Sequence, residues 1–293
     1  MSGILYVVAT PIGNIEDMTS RAKRILSEAD IVAAEDTRTT QKLFNILGIH
    51  NKTVSNHKFN EKRQVDYLLS ELDKGKNVAI VSDAGTPCIS DPGGVIVKAA
   101  AERGIKVESI PGASSVIAAL SICGINFNSF SFHGFLPKES KEIKKMLAAF
   151  PKSNLSIAVF FESPKRIKKT LAIFAMEVPE AELCLGNDLT KMYERIYRGK
   201  ADEILAELHE NPAAEKGEYV LVAEIGRKAD TVDTSADRVG QSPDSLEALL
   251  VEHIIKNGGT MKEAVTALAE KHKGAFTKKD FYAASLVLKD LLA

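Results

Sequence analysis

The chain has 293 residues, 45% of them hydrophobic and 26% charged, with a formal net charge of −1. That is enough chain for two domains of ordinary size, and the balance excludes a disordered or fibrous protein. The near-zero charge excludes an overall polycation, so any nucleic-acid surface has to be local. Ile4 to Ala9 is a continuous apolar run that reads as a first buried strand. It opens into the stiff turn Thr10-Pro11-Ile12-Gly13-Asn14, then a helix capped by Thr19 or Ser20 and running to Glu28. Asp30 to Ala34 reads as a second strand, followed by Glu35-Asp36-Thr37-Arg38 and a helix to Leu47. Asn60 to Lys74 has apolar residues at helical spacing (Val65, Leu68, Leu69, Leu72). It leads to the stretch around which the first half is organised, Asn77 to Gly94. Val78 to Val81 there is the apolar run of a strand buried on both faces of a parallel sheet. A loop of small residues follows, stiffened by Pro87 and Pro92 and opened by Gly85, before a helix from Val95 to Glu102. Asp91 is the expected N-cap of that helix and Pro92 its first residue. Lys106 to Ile110 is a further strand, and Pro111-Gly112-Ala113-Ser114-Ser115 opens an apolar helix to Cys123. Strand and helix alternate, which predicts an α/β fold with a mostly parallel sheet covered on both faces.

From Asn126 to Gly134 the character changes, with Phe127, Phe130, Phe132 and Phe135 clustered near Pro137. A domain boundary is placed there, giving an N-terminal α/β domain over 1–125 and a second α/β domain over 126–226. The second has a helix over Ser140–Phe150, a strand over Leu155–Phe161 and a helix after Pro164. Ala181–Leu185, Arg195–Arg198 and Glu218–Ala223 are read as strands of a mixed sheet. Residues 227–243 are polar and without hydrophobic period, a linker, and 244–293 are read as a small helical module. Within it Thr260 and Glu263 form a capping box and Thr277 starts another helix. The three cysteines are far apart without a Cys-x-x-Cys pair, which suits a reducing cytoplasm and argues against disulfides. Ile4–Ala9 is too short for a signal peptide, and no stretch reaches the roughly 20 apolar residues of a membrane helix.

Loops 10–14, 82–94 and 111–115 each follow a strand of the parallel sheet, so they lie along one edge and can converge on one ligand. Neither Gly-x-Gly-x-x-Gly after the first strand nor Gly-x-x-x-x-Gly-Lys-Ser/Thr anywhere is present, which disfavours dinucleotide and P-loop sites. A cleft of backbone groups with few charges suits a ligand combining a base, a sugar and an amino-acid tail. Glu35, Asp36, Glu162 and Lys191 follow apolar strands and are the candidates for accepting or orienting a proton. Asp36 with Arg38 has the alternative of a buried ion pair, and Glu162 that of capping the helix at Pro164. Basic runs at Lys138–Lys145, Lys165–Lys169 and Lys191–Lys200, and at Lys262, Lys271, Lys273, Lys278 and Lys279, are either phosphate contacts or solvated faces. The six histidines show no ligand spacing, so no metal is expected.

Taken in order, Thr-Pro-Ile-Gly-Asn (10–14), Ala-Glu-Asp-Thr-Arg (34–38), Ser-Asp-Ala-Gly-Thr-Pro (82–87), Ser-Asp-Pro-Gly (90–93), Pro-Gly-Ala-Ser-Ser (111–115), Phe-Glu-Ser-Pro-Lys-Arg (161–166), Asp-Leu-Thr-Lys (188–191) and Lys-Gly-Glu (216–218) resemble the tetrapyrrole-methylase superfamily. Within it they are similar to the branch that methylates a cytidine ribose 2′-hydroxyl in 16S ribosomal RNA. Asn187-Asp188 departs from the Arg-Glu usual there. The resemblance implies two α/β domains with a cleft between them for S-adenosylmethionine, a small-subunit RNA substrate and a homodimer. By motif it places Pro11, Ile12 and Gly13 beside the cofactor. It places Asp83, Ala84, Gly85, Thr86, Pro87 and Ile89 at the methionine end, Ser114 and Ser115 at the helix start, and Phe161, Leu189 and Val220 around the adenosine. RNA contacts are expected from Arg38, Lys138, Lys165, Arg166, Lys191 and Arg195. The competing readings are a tetrapyrrole or diphthine-type methyltransferase of the same fold, and a non-catalytic nucleic-acid-binding regulator whose last helices read DNA.

Overall fold

The computed structural model describes residues 2–57, 61–150, 157–226, 246–272 and 276–291. Two compact units are present, Met1–Lys228 and Ala229–Ala293. The first opens with a five-stranded sheet ordered β3-β2-β4-β1-β5, every neighbouring pair parallel. Its strands are β1 (Leu5–Val8), β2 (Ile31–Ala34), β3 (Thr53–Ser55), β4 (Val78–Val81) and β5 (Val107–Ile110). The helices α1 (Ser20–Glu28), α2 (Thr37–Leu47), α3 (Glu61–Asp73) and α4 (Gly94–Glu102) cover it. β4 is the middle strand, and its alternation explains the unbroken apolar run. Val78 and Ile80 pack with Leu68 and Leu72 of α3 and Ile96 and Ala100 of α4. Ala79 and Val81 pack on the other face with Ala22 and Leu26 of α1 and Phe44 of α2. Each large side chain buried this way contributes about 1.5–3 kcal/mol.

The second sheet, ordered β6-β7-β10-β8-β9, is mixed, as expected. β6 (Ser131–Phe135) runs parallel to β7 (Ile157–Glu162), while β10 (Tyr219–Glu224), β8 (Glu182–Asn187) and β9 (Arg195–Gly199) pair antiparallel. One face packs Phe160, Leu185 and Leu221 on α6 (Ser140–Ala149), α7 (Ile167–Glu177) and α8 (Ala201–Glu210). The other face carries Val159, Cys184, Val220 and Val222 against Val116, Ala119 and Leu120 of α5 (Ser115–Ile122). Helix α5 follows a strand of the first sheet but packs on the second, so loop 111–115 sits at their junction. We propose the division of this unit at residues 125–126, where the chain passes from α5 towards β6. The second unit packs α9 (Leu246–Asn257), α10 (Met261–Lys271) and α11 (Lys278–Leu291) around Leu250, Val265, Leu268 and Phe281. Thr260 and Glu263 make the expected capping box, and Thr277 and Asp280 hydrogen-bond at the start of α11. The linker assigned to 227–243, and Lys273, lie outside the described residues.

Several elements differ from expectation. The helix after the central loop starts at Gly94 with Gly93, not Asp91, at its N-cap. Gly93 turns at φ +127°, where a side chain is strained and a Cβ would stand 2.6 Å from Cys88 Sγ. Asp91 is thereby left outside the helix. Strands β3 and β6 and helix α8 were not anticipated. β3 has three half-buried residues and β6 is irregular, whereas Ala201, Ile204 and Leu208 in α8 do carry a helical period.

Candidate active site

The turns beyond the first sheet are laced together. Thr10 N–H donates to the Gly85 carbonyl (2.9 Å) and Gly85 N–H to the Thr10 carbonyl (3.1 Å). The Thr86 hydroxyl donates to the Ala113 carbonyl at 3.1 Å. Gly85 makes its turn at φ +78°, with Ile12 Cγ2 3.2 Å from where a Cβ would be. The facing wall comes from the ends of β7 and β10 and the loop after β8. In that loop Asp188 and Thr190 both adopt positive φ, 51° and 64°. The strain is held by Asp188 N–H donating to Glu218 O (2.9 Å) and Lys191 N–H to Asp188 O (3.0 Å). The walls meet at Gly13, where a Cβ would stand 2.4 Å from Lys191 Cγ and 3.1 Å from the Leu189 carbonyl. Asn14 N–H donates to Thr190 Oγ1 beside it, at 3.1 Å. Between the walls lies a cavity of about 320 Å³, in the range of small-molecule sites.

Among the residues expected around a cofactor, Ile12, Ala84, Gly85, Thr86 and Ile89 line this cavity from the first wall. Ser114 and Ser115 line it from the start of α5, and Phe161, Leu189 and Val220 from the second sheet. Pro11, Gly13, Asp83 and Pro87 do not line it. Of the four candidate proton acceptors only Glu162 does. Asp91, Ser90, Phe135 and Glu218 line it without having been singled out for it. In sequence Asp91 reads as a helix cap, and Phe135 reaches the site through an irregularity of β6 that carries no periodic signal.

Glu162 is wholly buried, 0% of its side chain exposed. Its Oε1 accepts from Ser163 N–H at 2.6 Å, and its Oε2 accepts from Arg166 Nη2 at 2.8 Å and Thr170 Oγ1 at 2.7 Å. Arg166 also donates to the carbonyls of Leu136 (2.8 Å) and Pro137 (3.0 Å). Helix α7 starts at Ile167 with Arg166 at its N-cap, so Glu162 caps no helix at Pro164. It is half of an ion pair joining β7, α7 and the segment after β6. Asp36 accepts from Arg38 N–H at 2.8 Å as N-cap of α2 and pairs with the Arg38 guanidinium at 2.6 Å. That pair is not buried, because Asp36 is spent on an exposed first turn: 87% of the Arg38 side chain is exposed. Hydrogen bonds from Arg38 hold the Asp36 carboxyl down to about 2. Lys191 Nζ lies 3.0 Å from Asp188 Oδ1 and 2.9 Å from Glu218 Oε2. Burial pulls its pKa down, but the hydrogen bonds to Glu218 and Asp188 outweigh this and leave it raised. Lys191 therefore stands as an ammonium at neutral pH.

Carboxylates crowd the ends of β2 and β4. The Glu35 pKa is raised by burial and then by the charges of Asp91, Asp83 and Asp36; Asp91 and Asp83 are raised by burial as well. A raised carboxyl adds stability that is complete below its unfolded pKa, about 4.3 for Glu, and is lost as pH rises through the folded value. Glu35→Gln is thus expected to raise the thermal midpoint at pH 7 and to leave it nearly unchanged near pH 4. Melting curves at the two pH values check this, and a gain confined to pH 4 would reverse the sign.

The basic runs separate into spent and available groups. Arg166 is committed to Glu162, Lys144 pairs with Glu177 at 2.7 Å, and Lys200 pairs with Glu180. Lys138 and Lys165 are exposed and carry no ion pair among the described residues, and Arg195 is exposed on β9. Among the described residues no three His, Cys, Asp or Glu side chains are grouped as metal ligands would be. No helix among them is long and apolar enough to cross a membrane.

The sequence model of Tetrapyrrole (Corrin/Porphyrin) Methylases matches residues 4–205. The chain belongs to this family. Among tetrapyrrole methylases it is 42% identical over 268 residues to ribosomal RNA small subunit methyltransferase I of Bacillus subtilis (strain 168), covering 91% of this chain and 89% of that protein. To the protein of the same name in Escherichia coli O157:H7 it is 40% identical over 236 residues, 80% of this chain and 82% of that one. Among solved structures the fold is shared with the methyltransferase CobJ, at TM-score 0.56 and 17% identity, over 82% of this chain and 98% of that chain. It is also shared with uroporphyrin-III C-methyl transferase from Thermus thermophilus complexed with S-adenyl homocysteine, at TM-score 0.51 and 17% identity, over 76% of this chain and 97% of that one. The two-sheet architecture described above is thus that of the tetrapyrrole methylases.

Proposed function

We propose that the protein transfers the methyl group of S-adenosylmethionine to the ribose 2′-hydroxyl of a cytidine in the 16S RNA of the small ribosomal subunit. The observation that carries this reading is the 42% identity, over 91% of the chain, to a protein named ribosomal RNA small subunit methyltransferase I. The cavity suits such a donor on its own chemistry. Ile12, Ile89, Leu189 and Val220 offer apolar surface to an adenine, Ser114 and Ser115 offer hydroxyls, and Asp91 and Glu218 offer negative charge to a cation. Bound there, S-adenosylmethionine supplies an electrophilic methyl on a positively charged sulfur.

The chain's part is to hold donor and acceptor in line within a site of low polarity, since the displacement removes charge as it proceeds. Asp91 lines the cavity, with Glu35 close enough for their charges to repel. A carboxylate whose pKa is raised is a better proton acceptor than an ordinary one. We assign the orientation of the acceptor hydroxyl, and receipt of its proton, to Asp91, with Glu35 acting on it from outside the cavity lining. The exposed Arg38, Lys138, Lys165 and Arg195 are assigned to phosphates, whereas Lys191 is spent on Asp188 and Glu218 and Arg166 supports the wall through Glu162. A homodimer and a cytoplasmic location complete the reading; three cysteines far apart in sequence suit a reducing compartment.

The test is methyl incorporation from radiolabelled S-adenosylmethionine into small subunits that lack the modification, followed by digestion to nucleosides. A single 2′-O-methylcytidine is expected. Measurable cofactor binding without incorporation would move the acceptor to a small molecule such as a tetrapyrrole.

A further inference from the structure

Strand β6 is the edge of the second sheet, and it is irregular at one place. Ser131 pairs with Ala158 and Phe132 with Val159, but the next pair is Phe135 with Phe161. Three steps on β6 therefore answer two on β7, so β6 holds one extra residue, and Gly134 takes a left-handed φ of +65°. Successive residues of a regular strand alternate faces, so residues three apart point to opposite sides. The bulge cancels that alternation and turns Phe135 to the face of Val159 and Phe161, the cavity side. Ring contacts bear this out: Phe132 and Phe135 both meet Phe161 edge-on, at 5.0 and 5.5 Å between centroids.

Having been turned inward, Phe135 is nevertheless 66% exposed while lining the cavity, and Ile89 on the facing wall is 61% exposed. Large apolar side chains left open at the rim of a cavity mark a place where a flat apolar group is to be received. The platform is firmly mounted. Leu136 N–H donates to the Phe161 carbonyl at 3.1 Å, and Arg166 holds the Leu136 and Pro137 carbonyls. Lys138, three residues beyond Phe135, and Lys165, beside the lining residue Pro164, are exposed cations without an ion pair among the described residues.

We infer that Phe135 is a stacking platform for an unpaired base of the RNA substrate at the rim of the cavity, with Lys138 and Lys165 taking the neighbouring phosphates. An aromatic face beside paired cations matches a flat ring carried on an anionic backbone, and proteins recognise RNA chiefly through unstacked bases of this kind. The inference rests on the RNA reading of the acceptor.

Phe135→Ala, Phe135→Tyr and Phe135→Leu test it, with three readouts on the full chain: kcat/KM for unmodified small subunits, the Kd for S-adenosylhomocysteine by calorimetry, and the thermal midpoint. The alanine variant is expected to lose roughly tenfold to a hundredfold in kcat/KM, the range of one base stack. Its S-adenosylhomocysteine affinity should stay within about twofold. Tyrosine is expected to restore kcat/KM and leucine to fail. An equal loss of S-adenosylhomocysteine affinity would assign Phe135 to the donor and overturn the inference. So would rescue by leucine as complete as by tyrosine, or an alanine variant as active as wild type. A wild-type protein that binds S-adenosylhomocysteine but methylates no subunits would overturn the RNA reading itself, and this inference with it.

Discussion

Glu162→Ala is expected to lower the free energy of unfolding by about 3 kcal/mol, as removal of one partner from a buried ion pair does. The carboxylate is entirely enclosed, and each of its oxygens is hydrogen-bonded. Arg166 is only 28% exposed, so without Glu162 it has no countercharge and little water, and its hold on the Leu136 and Pro137 carbonyls is disturbed. Urea unfolding at pH 7 measures the effect. Thr170→Val, which removes one hydrogen bond to the same oxygen, should cost only about 1 kcal/mol. A Glu162→Ala loss no larger than that of Thr170→Val would mean that water replaces the carboxylate freely, and the ion pair would then not be what joins β7 to α7. Activity should fall as well, because the Leu136–Pro137 segment that follows Phe135 is mounted on Arg166.

Gly217→Ala is expected to damage stability and cofactor binding together. The position has φ +83°, and an added Cβ would stand 2.1 Å from Asp188 Oδ2 and 2.7 Å from its Oδ1. Left-handed backbone costs a side chain roughly 1–2 kcal/mol, and forcing atoms into a filled space typically adds about 1–3 kcal/mol. Asp188 cannot step aside cheaply, since it carries the Lys191 ammonium and accepts from Glu218 N–H at 3.3 Å. Gly217 and Leu189 both line the cavity, so displacement of Asp188 should also weaken S-adenosylhomocysteine binding by about tenfold or more, a free-energy change near 1.4 kcal/mol. Gly48→Ala separates the two causes, because Gly48 has φ +67° with nothing within 4 Å of the added carbon. Comparing the variants by denaturation and calorimetry isolates the collision. Equal losses in both would leave backbone strain as the whole effect and remove Asp188 from the account.

What the sequence by itself determined is the local and the periodic. An unbroken apolar run such as Val78–Val81 can only be buried on both faces, and β4 is indeed the middle strand, with a different helix pair against each face. Small-residue turns after β1, β4 and β5 had to share an edge, because parallel strands point one way. The ordered motifs then pointed to the tetrapyrrole methylases over most of the chain. Only the tertiary structure decided which polar groups face the cavity and which are spent elsewhere, since that depends on partners distant in sequence. Glu162 and Arg166 stand in one motif, yet they neutralise each other and hold a wall through the carbonyls of Leu136 and Pro137, thirty residues upstream. Lys191 looks like a base in sequence, but its hydrogen bonds to Asp188 and Glu218 hold it as an ammonium against the burial that would lower its pKa. Asp91 is released into the cavity because Gly93 alone can make the turn that starts α4. Phe135 reaches the rim because one extra residue in β6 reverses its face, and a single inserted residue leaves no trace in hydrophobic period. Burial along an element is written in its own spacing, whereas the state of a charged group is set by what the fold brings up against it.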